Sequence, residues 1–357
     1  MAKIHNYSAG PCILPQEVFE QSAEAIKNFD GTGLSILKIS HRSKEFVAVM
    51  EEARALVKEV LEVPEGYTVL FLQGGASLGF LISAMNMIRE NEQSAYINTG
   101  AWSTKAIKEA VFAGDVIEVA SSKDENFTYI PKNVEIPEDV DYLHYTSNNT
   151  IHGTQSKAIP ETSKPLVCDM SSDIFSKKVD IAKHDFIYAG AQKNLGPAGA
   201  TLYIVKEDII GQSNIDIPTY LDLATHVKKD SMFNTPPVFS VYASMLTLRW
   251  LKANGGIEWI QQRNEQKAKL IYDEIDRNPL FKGTAEKEDR SNMNATFVMT
   301  DETHKENFDK MWKGAGISGI NGHRSVGGYR ASMYNALPPE SVQVLVDVMK
   351  DFANKYA

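Results

Sequence analysis

The chain has little cysteine: Cys12 and Cys168 are the only two in 357 residues, far apart and in no CxxC pair. No disulfide framework or zinc motif is visible, and the eight scattered histidines contain no HExxH pair, so no metal is expected. Positive charge is also short. Lysine and arginine total 37 against 46 acidic residues, a net charge of −9 with a pI near 5.5. No Lys/Arg cluster forms the basic stripe that a duplex needs, which argues against a nucleic-acid partner. Long apolar runs are missing too. None approaches the ~18 residues that cross a bilayer, and the start, "MAKIHNYSAGPCILP", lacks an apolar signal core. A soluble, cytoplasmic protein without membrane contact is the expectation. Nucleotide-binding signatures are absent as well. "GGASLG" has the wrong spacing for GxGxxG, and there is no GxxxxGK[ST], which removes a dinucleotide dehydrogenase and a P-loop enzyme.

What remains is ordinary globular composition, 43% apolar and 23% charged, long enough for a large domain with a smaller partner. Helical spacing covers "LPQEVFEQSAEAIKNF" and "SKEFVAVMEEARALVKEVL". Strands and helices then alternate. "TVLFLQ" (68–73) runs into the helix-opening turn of "GGASLGFLISAMNMI", and "SAYINTG" (94–100) precedes the helix "WSTKAIKEAVFAG". "DYLHYTSN" (141–148), "PLVCDMSS" (165–172), "DFIYAG" (185–190) and "ATLYIVK" (200–206) are further strand candidates. This order predicts an α/β fold with a mostly parallel sheet covered on both faces. Residues 213–237 are polar and irregular and read as a long functional loop or a short hairpin. Two helices broken at Gly255–Gly256 follow. From near residue 260 the pattern is that of a small α+β domain: "NATFVMT", "KENFDKMWKGAG", a Gly-rich β segment "ISGINGHRSVGGYRASMYN", and a closing helix "PESVQVLVDVMKDFANKY".

The oddest stretch is "AGAQKNLGPAG" (189–199), which places Lys193 among small residues just past an apolar strand. Other unusual residues also fall at strand ends, where α/β sheets bind ligands. Asp169 closes "PLVC", Gly75–Ala76–Ser77 follow "TVLFLQ", Trp102 follows "SAYINTG", and Thr150 follows "DYLHYTSNN". Taken singly, each has a plain structural explanation: a solvated loop lysine, a helix cap, an ordinary turn, a core aromatic, a turn hydroxyl. Together they match a pyridoxal phosphate site. Such a site needs a lysine for the Schiff base and a carboxylate opposite the pyridine nitrogen. It also needs helix-terminal amides for the phosphate, a stacking ring and a hydroxyl for the ring oxygen. Lys193, Asp169, Gly75–Ala76–Ser77, Trp102 and Thr150 fill those roles in turn.

On "NYSAGPCILP", "SHRSKEF", "YAGAQKNLGPAG", "SMFNTPP", "WLKANGG" and "GHRSVGGYRASMYNA", the chain resembles the phosphoserine aminotransferases, in the fold-type I, class V group of pyridoxal phosphate enzymes. The resemblance runs nearly end to end. It implies a large cofactor-binding domain over 16–258 with a mostly parallel seven-stranded sheet, and a small domain built from 1–15 and 259–357. It implies reversible transamination between L-glutamate and a phosphorylated 2-oxo acid, 3-phosphohydroxypyruvate, in serine biosynthesis. Related enzymes also process 4-phosphohydroxy-L-threonine in pyridoxine biosynthesis. The resemblance further implies a homodimer with shared active sites, in which Asn234 and Thr235 of the opposite subunit join Gln192 in holding the cofactor phosphate. Ser8, Arg42 and Arg330 are implied at the substrate anions, with His41, His323 and Arg324 at the phosphate end. One departure appears: some members carry an arginine in the turn that here reads "GGASLG", so one substrate-phosphate contact has no counterpart. A cysteine desulfurase shares the fold but needs a reactive cysteine on a late loop, which neither Cys12 nor Cys168 supplies. Another class V aminotransferase with a different substrate, and a non-catalytic cofactor-binding protein, remain the alternatives.

Overall fold

The computed structural model describes residues 3–357. The chain opens with β1 (His5–Asn6), α1 (Gln16–Lys27) and α2 (Lys44–Val60). The hydroxyl of Ser43 accepts the Phe46 amide and caps α2, whose apolar stripe Phe46, Val49, Met50, Ala53, Leu56 and Val57 is buried at helical spacing. Next come β2 (Tyr67–Leu72), α3 (Gly75–Met87), β3 (Gln93–Asn98), α4 (Ala101–Ala110), β4 (Asp115–Ser121) and β5 (Tyr142–Thr146). A short hairpin, β6 (Asn148–Asn149) and β7 (Thr154–Gln155), precedes β8 (Leu166–Asp169), β9 (Phe186–Gly190) and β10 (Thr201–Lys206).

These strands form a seven-stranded sheet in the order β2-β10-β9-β8-β5-β3-β4. Only β10 runs antiparallel to its neighbours. Strands β2, β3, β5, β8 and β9 therefore point the same way, and their carboxyl ends share one edge. Both faces are covered, so β2, β5, β8 and β9 are buried at every residue and read as continuous apolar runs. Strand β4 carries no such mark in the sequence, for the same reason in reverse. It is one of the two edge strands and, unlike β2 at the other edge, is half-exposed along most of its length, and "DVIEVAS" has no buried apolar run.

The stretch 213–237 contains one five-residue helix, α5 (Leu223–Val227), and no hairpin. Helices α6 (Val238–Ala253) and α7 (Gly256–Arg277) break where expected, at Gly255 and Gly256, whose φ angles are +107° and +68°. The remainder comprises β11 (Phe281–Gly283), β12 (Asn294–Met299), α8 (Lys305–Gly314), β13 (Ile317–Ser318), β14 (Tyr329–Ser332) and α9 (Pro339–Tyr356). The Gly-rich segment thus holds two short strands with an exposed loop between them. Strands β11, β12 and β14 make a small antiparallel sheet, and β1 pairs in parallel with β13. A separate apolar core joins Tyr7 to residues 268–352.

Candidate active site

The topology places the site. Helix α4 leaves β3 toward β4, whereas β5 lies on the other side of β3, so the strand order reverses between β3 and β5. Such a reversal opens a crevice at the carboxyl edge. Trp102, in the first turn of α4, and Thr150, just past β5, stand on its two sides.

Lys193 follows β9 and is 9% exposed. Its Nζ donates to Thr150 Oγ1 at 3.0 Å and lies 5.5 Å from the centre of the Trp102 ring. Burial pulls its pKa from the usual 10.5 to about 8; the Asp169 carboxylate opposes this and the Arg330 guanidinium adds to it. An amine so placed is neutral in a useful fraction near neutral pH, which a nucleophile or base requires. Asp169 ends β8 and is 4% exposed, with Oδ1 accepting the Ser171 amide at 2.9 Å. Burial pushes its carboxyl above the usual range, while the Ser171 hydrogen bonds and the Lys193 charge pull it back. The alternative of Asp169 as a helix N-cap is not met, because no helix follows it; its carboxylate closes a local turn instead. Its charge nonetheless acts on Lys193.

Gly74 and Gly75 take φ angles of +96° and +64° to turn β2 into α3. The amides of Gly75, Ala76 and Ser77 donate to no partner among the described residues, which leaves a helix N-terminus open to an anion. Helix α3 sits close to the sheet because residue 79 is glycine; a Cβ there would lie 2.7 Å from the Tyr188 ring. Gln192 is half-buried and folds its amide back over Gly190.

Arg330, in β14, reaches across from the small sheet and donates to the Thr150 carbonyl at 3.4 Å. Its Nε is buried without a partner, as is Nε1 of Trp102. His323 and Arg324 occupy the exposed loop before β14, and His323 pairs with Ser325 at 2.7 Å. Partial burial lowers the His323 pKa, and the charges of Arg330, Lys105 and Arg324 lower it further. Ser8 is half-buried against Gly319. His41 and Arg42 lie at the amino end of α2 and make no contact with Lys193 or its neighbours within the described residues. Asn234 and Thr235 are exposed, and their side chains have no partner among the described residues. The Thr235 carbonyl accepts Gln73 Nε2 at 2.7 Å, beside the α3 turn.

Several supports of the site carry no signal in the sequence. Cys12 donates its thiol to the Lys193 carbonyl at 2.7 Å, and burial pushes its pKa to about 12, so it acts as an inert anchor. Lys267 is wholly buried in α7, where its Nζ donates to the carbonyls of Met333 and Tyr334 at 2.9 and 2.8 Å. Tyr334 in turn bonds the Ala9 carbonyl at 2.8 Å. A lysine at helical spacing between Asn264 and Ile271 bears no local mark of such burial.

Pyridoxal phosphate fits these residues. A buried amine of lowered pKa, a buried carboxylate, three free helix-terminal amides, an aromatic face and a hydroxyl meet at one sheet edge, and the orphaned Trp102 and Arg330 nitrogens border them. The comparisons agree. A profile for aminotransferase class-V matches residues 4–345. A phosphoserine aminotransferase of Flavobacterium psychrophilum is 64% identical, with 99% of each chain covered. Among solved structures, the phosphoserine aminotransferase of Bacillus circulans subsp. alkalophilus superposes with a TM-score of 0.96 at 44% identity over 99% of each chain. A PLP-bound phosphoserine aminotransferase of Trichomonas vaginalis gives 0.92 at 34% identity, covering 98% of this chain and 100% of its own. The chain is a member of the class-V aminotransferase family, alongside the phosphoserine aminotransferases.

Proposed function

We propose that the chain moves an amino group between L-glutamate and 3-phosphohydroxypyruvate, giving O-phospho-L-serine and 2-oxoglutarate, as a cytoplasmic step of serine biosynthesis. The observation that carries this reading is Arg330, which reaches Thr150 beside the buried Lys193 with its Nε left unpartnered, and whose charge, with that of Arg324, is felt at His323, in a chain whose net charge is −9. Positive charge concentrated locally is what two anionic substrates require. Pyridoxal phosphate, when bound, supplies the electron-withdrawing ring that acidifies the substrate Cα–H. Lys193 would hold the cofactor carbonyl, and its amine would take and return the proton at the substrate Cα. Asp169 would favour a proton on the ring nitrogen through the negative charge of its carboxylate, which the Ser171 hydrogen bonds and the Lys193 charge help to keep ionised against burial. The Gly75, Ala76 and Ser77 amides and Gln192 would hold the cofactor phosphate, with Trp102 available to stack on the ring and Thr150 to bond its oxygen.

In the same reading, 16–258 form the large domain, while 1–15 and 259–357 form the small one, supported by the core that joins Tyr7 to residues 268–352. Testing a panel of amino donors against phosphorylated and unphosphorylated keto acids, with 4-phosphohydroxy-L-threonine included, checks the function. Equal use of phosphorylated and unphosphorylated acceptors defeats it.

Arg330→Ala is expected to weaken glutamate and phosphoserine alike, as a carboxylate clamp would. A charged hydrogen bond of roughly 1.5–3 kcal/mol converts to about ten- to a hundredfold in affinity. Arg324→Ala should harm phosphoserine more than glutamate. Steady-state kinetics with both donors checks this, and equal losses at Arg324 remove its phosphate role.

The exposed, partnerless side chains of Asn234 and Thr235 support a homodimer with shared sites, as do those of His41 and Arg42, which find nothing to bind among the described residues of one copy. Mixing inactive Lys193→Ala chains with inactive Asn234→Ala/Thr235→Ala chains should restore part of the activity, since some heterodimers hold one intact site. No recovery after verified subunit exchange argues against sharing.

A further inference from the structure

We propose that Lys105 binds the phosphate end of the phosphorylated substrate and biases the site toward it over glutamate, a role that rests on the function proposed above. Lys105 stands one helical turn beyond Trp102 on α4, the helix that leaves the sheet at the reversal of strand order. Its Nζ lies 4.4 Å from the centre of the Trp102 ring, and the Lys193 Nζ lies 5.5 Å from the same centre. The indole therefore ties the exposed end of one lysine to the buried amine of the other. A long exposed side chain usually roams, and a cation held over an indole gives up some of that freedom for a defined position.

Nothing in the described chain neutralises this cation. Lys105 joins no ion pair or hydrogen bond, and Glu109, four residues on along α4, is not within pairing range. On the other side it acts electrostatically on His323, together with Arg330 and Arg324, and no carboxylate stands among the charges that act on that ring. None of Lys105, His323, Arg324 and Arg330 joins an ion pair among the described residues, and the three cations all lower the His323 pKa. Such a cluster repels itself until an anion enters. A phosphate monoester carries about −1.5 to −2 near neutral pH and three acceptor oxygens, whereas the glutamate side chain carries a single charge. One more cation at this position therefore favours the phosphorylated substrate.

The neighbouring turn cannot supply that cation. The first turn of α3 reads Gly75–Ala76–Ser77, with no basic residue, and its free amides are the ones assigned to the cofactor phosphate. Lys105, on the neighbouring helix α4, places a cation beside Trp102 that no ion pair among the described residues commits elsewhere.

Lys105→Gln and Lys105→Arg test the assignment, with phosphoserine and glutamate assayed as donors in the holoenzyme and inorganic phosphate as a competitive inhibitor. Losing one charge-assisted contact corresponds to about tenfold. Lys105→Gln should raise the KM for phosphoserine about tenfold more than that for glutamate and weaken phosphate inhibition by a similar factor. Lys105→Arg should recover most of both. Equal shifts for the two donors, or phosphate inhibition unchanged, overturns the role of Lys105 while leaving the transaminase reading intact. Failure of the unaltered enzyme to turn over phosphoserine overturns that reading, and the assignment falls with it.

Discussion

Lys193→Ala is expected to fold normally, lose the visible absorption that appears when pyridoxal phosphate is added, and retain almost no transaminase activity. The amine of this side chain sits in a buried slot where it donates to Thr150 Oγ1, 3.0 Å away. Removing it leaves a hydroxyl free to turn to water in the crevice, and it relieves the desolvation that already drives the amine down to about 8. Folding therefore survives. Chemistry does not, because no other amine takes its place. Lys267 is also buried, but its hydrogen bonds go to the Met333 and Tyr334 carbonyls, and Lys105 is an exposed lysine held over the Trp102 ring rather than at Thr150. A positioned proton carrier contributes about 10²–10⁴-fold, and Lys193 also anchors the cofactor, so the loss belongs at the upper end of that range. Absorption spectra and stopped assays of the purified variant check this. A retained visible band would transfer the anchoring role to a different lysine.

Asp169→Asn carries the second-largest expected loss, about 10²–10⁴-fold in turnover, with the absorption band kept. The substitution is nearly isosteric, and the amide oxygen still accepts from Ser171, so the turn after β8 should hold. What disappears is the negative charge. A neutral amide gives no electrostatic reason for a proton to stay on the nitrogen opposite it. The change also removes the attraction that partly offsets the desolvation of Lys193, so the Lys193 amine should titrate lower than in the parent enzyme. Turnover and pH profile measured together check both consequences. Normal activity would reduce Asp169 to a structural cap.

Most of the site is legible in the amino-acid sequence because its parts sit at strand ends, and strand ends are marked locally by apolar runs that stop. Asp169, Lys193, Thr150 and Trp102 each carry that mark. Strand β4 does not, since an edge strand exposed on one face need not be apolar. Nor does β11, whose three residues pair only with β12. Lys267 and Lys105 are illegible for opposite reasons. One is a lysine on a helical face that packing turns inward, and the other an ordinary surface lysine until the fold sets it over Trp102. Cys168 reads as a buried strand residue and is one, because its neighbours in "PLVC" already demand it.

The pairing of β1 with β13 has a bearing on how the polypeptide is made. Tyr7 is fully buried against residues 268–352, its hydroxyl donates to the Ser341 carbonyl, and His5 Nδ1 meets Ser341 Oγ at 2.8 Å. The β1 segment thus waits for a partner made more than 300 residues later. Residues 16–253 can collapse around their own sheet while synthesis continues, but the amino-terminal strand has no lasting place until α9 emerges. Contacts this distant along the chain form slowly, because closing so long a loop costs entropy before any contact repays it. Cys12 and Ala9, which touch Lys193 and Tyr334, belong to that same late segment. The catalytic edge is therefore completed only when these two distant segments meet.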